Sequence, residues 1–220
     1  MMTQQDDIHE GGSSFTEAPL EAAMAVLTTP ATPVEADLLE LAEGLAAASA
    51  RFVQTAEAVA AGIGEDHAIA ILLLEVSDIL AMGARLGAID DVVPEGRFEP
   101  DAGAEPDVDR LRDALARRLT PVDAYVEVVD PYAEPELMSG RLSDDLTVMV
   151  SDLLHGLAHQ AAGRTLEALW WWQTSYLGTW GDSGATALRA LRSLVSHVRS
   201  GAPLEAPLEA PLDTPLEPTS

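Results

Sequence analysis

Across residues 36–200 apolar side chains return every three or four positions, and no stretch shows sustained alternation of apolar and polar residues closed by turn pairs. That spacing lays one apolar stripe along a helix, and such a stripe is buried against other helices. Residues 36–61 are rich in Ala, Leu and Glu. Residues 65–87 are strongly apolar, with a primary stripe of Ile69, Leu72, Leu73, Val76 and Leu80, and residues 107–119 carry Val108, Leu111, Leu115 and Leu119. Pro121 is suited to start another helix, in which Val122, Tyr125, Val126 and Val129 repeat the same face. Three more helices are predicted over 142–162, 164–180 and 184–199, with Ser143 as an N-cap before Asp144 and Asp145, and Gly163 as a stop. The prediction is an all-α, single-domain helical bundle of about six or seven helices.

The flanks read differently. Residues 1–35 combine Gly11, Gly12, Ser13 and Ser14 with Pro19, Pro30 and Pro33, and are expected to form a disordered acidic tail with at most a transient helix over 20–27. Residues 201–220 repeat Ala-Pro-Leu-Glu, and proline at every fourth position favours an extended, low-complexity spacer. The Pro-rich acidic stretch 94–106 is the longest predicted connection inside the bundle.

Charge and composition exclude several functions. The chain holds 37 acidic and 12 basic residues, a net charge of -25, and ten of those acids lie in the two tails. Such a surface repels phosphates, so no direct nucleic-acid binding is expected. With no cysteine there is no disulfide framework and no thiolate site. No apolar run, that of Ile69 to Leu74 among them, approaches the roughly 20 residues of a membrane span. No basic residue precedes Arg51, as a secretory signal would require, so a cytoplasmic protein without membrane contact is expected.

Two constellations could carry chemistry. On the predicted helix over 142–162, Asp152, His155 and His159 fall on one side, opposite the stripe of Leu146, Met149, Val150, Leu153 and Leu157. A carboxylate and two imidazoles on one face are a ligand set that bundles use for divalent metals once a second helix contributes. The helix over 65–87 could contribute Glu75 and Asp78, which stand among Ile71, Leu74 and Met82. The competing expectation is ordinary: the two carboxylates pair with arginine, Arg85 being the nearest, and the histidines are solvated. Metalloprotease, phosphate-loop and nucleophile-elbow signatures are absent.

The second constellation is Trp170-Trp171-Trp172, followed by Gln173, Tyr176 and Trp180. Three successive helical residues fan over roughly 200°, so they cannot all enter one core. Leu166, Leu169, Trp170, Leu177 and Trp180 are assigned to the buried stripe, together with Gln173, whose amide would then need partners. That leaves Trp171, Trp172 and Tyr176 as candidate partner-binding residues, because tryptophan and tyrosine are enriched at interface hot spots. A large aromatic core helix is the plainer alternative.

The segments Leu72–Asp78, Gly83–Gly87, Phe98–Asp101, Tyr125–Tyr132 (with Asp-Pro-Tyr), Arg141–Asp145 (in Leu-Ser-Asp-Asp) and Gly163–Gln173 (with Ala-Leu-Trp-Trp-Trp-Gln) resemble an uncharacterised actinobacterial family over about residues 37–200. The resemblance implies an intracellular helical protein and no activity. The neighbourhood of such genes to a recombination-repair gene adds, by the same resemblance, an accessory role in DNA maintenance. With no complete catalytic set, the leading expectation is a non-catalytic protein-protein interaction module with no cofactor. The alternatives are a metal-dependent enzyme using Glu75, Asp78, Asp152, His155 and His159, and an acidic DNA mimic.

Overall fold

The computed structural model describes residues 35–64, 67–94, 106–128 and 137–201. The predicted tails apart from Glu35 and Gly201, the transient helix expected over 20–27 and the Asp130-Pro131-Tyr132 segment lie outside the described residues, as does nearly all of the 94–106 connection.

Helix α1 (Glu35–Ala60) buries Ala42, Leu45, Ser49, Phe52, Ala56 and Val59, a three-and-four spacing that keeps one face inward. Gly62 and Gly64, at φ +89° and +76°, turn the chain into α2 (Ala68–Gly87), which buries Leu72, Val76, Ile79, Gly83 and Leu86. Helix α3 (Asp109–Leu119) follows, then strands β1 (Ala124–Val128) and β2 (Leu137–Arg141). Helix α4 (Leu142–Ala161) packs on α1, α3, α5 (Thr165–Ser175) and α6 (Gly181–Ser200). Gly163, at φ +73°, ends α4 as predicted, with the Arg164 N–H donating back to the His159 carbonyl at 3.0 Å. Among the described residues no helix is long and apolar enough to cross a membrane.

The chain is mostly helical rather than all-α, and two predictions need correcting. The segment after Pro121 is a strand, paired antiparallel with β2 so that Tyr125 faces Gly140 and Glu127 faces Met138. Its valines suit a pleated surface as well as a helix face, and apolar spacing over so few residues cannot separate the two. Tertiary contacts decide. A Cβ at Gly140 would stand 2.6 Å from Tyr125 Cζ, so glycine there lets the ring lie across β2. The buried carboxylate of Asp123 accepts the Ser143 N–H at 2.8 Å and the Ser143 hydroxyl at 3.0 Å, tying the start of β1 to the start of α4. Ser143 is therefore not the N-cap; that position is Arg141, and Asp123 caps the helix from outside.

The second correction concerns the helix count. Helices α5 and α6 are continuous through a π turn, Tyr176–Trp180, so the six α-helices among the described residues form five unbroken segments rather than six or seven. Glycines fit the bulky side chains of this region into the bundle. A Cβ at Gly83 of α2 would stand 2.5 Å from both Tyr176 Cδ2 and Trp180 Cη2, and one at Gly156 of α4 would fall inside the Trp172 indole.

Candidate functional site

The aromatic helix α5 and its π turn lie along α4. Trp172 is completely buried, and its Nε1–H donates to the Leu153 carbonyl at 3.3 Å. Trp180 is equally buried and donates to the Trp172 carbonyl at 3.2 Å. Trp171 is half-buried: its indole N–H donates to the Asp152 carbonyl at 3.0 Å, and its ring lies 4.7 Å from that of His155. Tyr176, also half-buried, packs on Trp180 with ring centroids 4.8 Å apart. Trp172 is thus a core residue and presents no surface, which corrects its assignment as a partner-binding residue.

The buried stripe of α5 is Ala168, Leu169, Trp172 and Gln173. Leu166 and Leu177, assigned to the core from sequence, are exposed, and Trp170 is only half-buried. The stripe is rotated because a small residue and an amide occupy the inner positions while leucines occupy outer ones. Beyond Ser175 the π turn also adds a residue per turn, which displaces a face read at about 100° per residue. Gln173 is buried, as expected, and finds three partners. Its Oε1 accepts the Val92 N–H at 2.7 Å, and its Nε2 donates to the carbonyls of Leu86 at 3.0 Å and Asp90 at 3.2 Å. This amide straps the segment after α2 onto α5.

Beside that strap lies a depression of about 390 Å³ lined by Asp91, Val92, Val93, Trp170, Gln173, Thr174, Leu177 and Gly178. Val93 is 76% exposed and Leu177 is 66% exposed. No periodicity argument nominates Val93, because it stands in an irregular segment held only by tertiary contacts.

The five candidate metal ligands are not brought together. On α2, Asp78 is exposed and faces Arg51 of α1 at 3.8 Å, rather than Arg85, whose guanidinium approaches Met82 Sδ at 4.0 Å. Glu75 is half-buried and borders a shallow depression with Arg51, Ile63 and Ile71. On α4, the Asp152 carboxylate accepts the Thr179 hydroxyl from the π turn; burial raises its pKa above the usual carboxylate range, opposed by that hydrogen bond and by His155. His155 and the completely buried His159 lie against Trp171. Among the described residues no group of three or more His, Cys, Asp or Glu is arranged to hold a metal ion. Helix α2 packs chiefly on α1 and α6, whereas the α4 face bearing the imidazoles is covered by α5, so the two sets of side chains serve different interfaces.

A further set of titratable groups collects where the hairpin meets α4 and α6. The Tyr125 hydroxyl donates to Asp145 Oδ2. Burial pushes the Asp145 carboxyl up to about 7; the tyrosine bond opposes this, and Glu127, Asp144 and Asp182 reinforce it. Tyr125 is raised as well, first by burial and then by its bond to Asp145. Asp123, almost fully buried, also accepts Arg141 Nε at 3.0 Å and Nη2 at 2.9 Å. The sequence marks these acids only as residues near a helix start.

The family described as Domain of unknown function (DUF5063) matches residues 36–197. The chain belongs to the DUF5063 family. The match spans all six α-helices of the described structure except the first residue of α1 and the last turn of α6. No curated protein matches the chain. Among solved structures, the DUF5063 chain is similar to the crystal structure of protein BF1032 from Bacteroides fragilis, with a TM-score of 0.56 and 18% identity over 69% of this chain and 89% of that one. At that identity the likeness extends to the fold.

Proposed function

We propose that this domain is a non-catalytic protein-interaction module whose partner-binding face is the Val93–Trp170–Leu177 depression. The observation that carries the reading is the exposure of two large aliphatic side chains beside a half-buried tryptophan, over a base fixed by the three hydrogen bonds of Gln173. Apolar side chains gathered around an aromatic anchor gain free energy when a partner removes them from water, and anchors of this kind dominate interface energetics. Of the aromatic residues nominated from sequence, Trp171 is tied to α4 and Tyr176 is packed on Trp180.

The test is the double variant Val93→Ser, Leu177→Asp in the full chain. Both side chains are exposed, so thermal stability should stay within roughly 0.5 kcal/mol of the parent per substitution. A protein captured by the parent and identified by mass spectrometry should then be purified and its affinity for both forms measured by calorimetry. Loss of about tenfold or more in Kd supports the reading, and equal affinity for the two forms overturns it.

A further inference from the structure

Where α1 begins and α2 ends, the two helices leave a groove of about 520 Å³. Its floor is apolar, formed by Leu38 and Leu41 from α1 with Met82 and Ile89 across from them. Gly44 lets Met82 lie close to α1: a Cβ there would stand 3.1 Å from Met82 Cε, which would have to shift by a few tenths of an ångström. The rim is charged and one-sided. Asp37, Glu40 and Glu43 line it at every third position of α1, and among the described residues Arg85 is the one basic residue lining it. The last turn of α2 ends beside it, and its carbonyls add partial negative charge.

We infer that this groove docks a basic amphipathic helix of a partner protein. Leucine-like side chains of that helix seat on Leu38, Leu41 and Met82, and its flanking lysines or arginines face Asp37, Glu40 and Glu43. An apolar groove that receives the apolar face of an amphipathic helix is the helix-in-groove mode of recognition. Methionine in the floor adapts to different apolar side chains. Charge complementarity selects the occupant. Residues 1–35 of the chain itself contain six acids and no base, so they would bring like charge to the rim. The groove is lined by residues other than those of the Val93–Trp170–Leu177 face, and its test is independent of that one.

The experiment titrates the full chain with a fluorescein-labelled peptide of about 18 residues, five helical turns, with leucines along one face and lysines on its flanks. A scrambled peptide of the same composition controls for attraction to the net charge of -25. The patterned peptide should bind at least about tenfold more tightly than the scrambled one. The variant Glu40→Lys, Glu43→Lys, changed only at exposed positions, should keep its melting temperature and lose about tenfold in affinity. A photo-crosslinking leucine in the peptide should label residues 38–44 or 82–89. Equal binding of the scrambled peptide, unchanged affinity of the variant, crosslinks elsewhere or no binding would each overturn the inference.

Discussion

Replacing Asp123 by alanine removes a buried carboxylate that holds the start of β1 to the start of α4. Three separate losses follow. The Ser143 N–H, in the first turn of α4, loses its acceptor at 2.8 Å, a capping loss of about 1 kcal/mol. The buried Ser143 hydroxyl loses its acceptor at 3.0 Å and keeps no comparable partner, about 1–1.5 kcal/mol. Arg141 loses its pair, but its side chain is 57% exposed and rehydrates, so this adds at most about 1 kcal/mol. Together the cost is about 3 kcal/mol, or a fall in Tm of about 6–12 °C for a domain of this size. Circular dichroism melts of three variants separate the contributions. Asp123→Ala should show the full fall, Asp123→Asn a smaller one because an oxygen remains for the Ser143 N–H, and Arg141→Ala a change of about 1 kcal/mol or less. A fall below about 2 °C for Asp123→Ala would refute the capping argument, as would an Arg141→Ala variant as unstable as Asp123→Ala.

Asp145 predicts a pH dependence. Its ordinary pKa of 3.8 is raised to about 7 in the folded protein, so the native state keeps a proton that the unfolded chain has released. The stability it contributes is complete below about pH 4 and is lost as the pH rises to about 7. Urea midpoints of the parent should therefore fall across that window more steeply than those of Asp145→Asn; parallel curves would contradict the assignment. Gly156→Ala tests the seat of Trp172. In an unobstructed helix the change stabilises by about 0.5–1 kcal/mol, but here the new methyl group falls inside the indole, and a loss of about 1–3 kcal/mol with altered near-ultraviolet dichroism is expected. A stabilised variant would show that the indole lies elsewhere. Trp172→Ala should cost about 3–5 kcal/mol in a urea titration, whereas a loss under 1 kcal/mol would place the ring outside the core.

How much of the site was legible from sequence differs by residue. The burial of Gln173 follows from a polar residue standing between apolar neighbours on a helix, and its need for partners follows from the cost of burying an amide. Which groups answer it could not be read, because Leu86, Asp90 and Val92 are more than 80 positions away along the chain. The spacing of Asp152, His155 and His159 correctly places them on one helix, but spacing says nothing about what covers that face, and the cover is Trp171 rather than the α2 carboxylates.

Sequence alone determined the helical periodicity, the glycine stop after α4, the acids in its first turn and the membership of a helical family, because each depends on neighbours within about one turn or on residue composition. Tertiary structure alone decided three things. The Tyr125 segment is a strand because Gly140 leaves room for its ring and Asp123, at its start, is tied to Ser143 of α4. Trp172 enters the core because Gly156 leaves room for its indole. Val93 and Leu177 form a surface because a buried glutamine straps one segment beside another. All three depend on contacts between residues distant in sequence, and a local pattern carries no information about which distant surface will meet it.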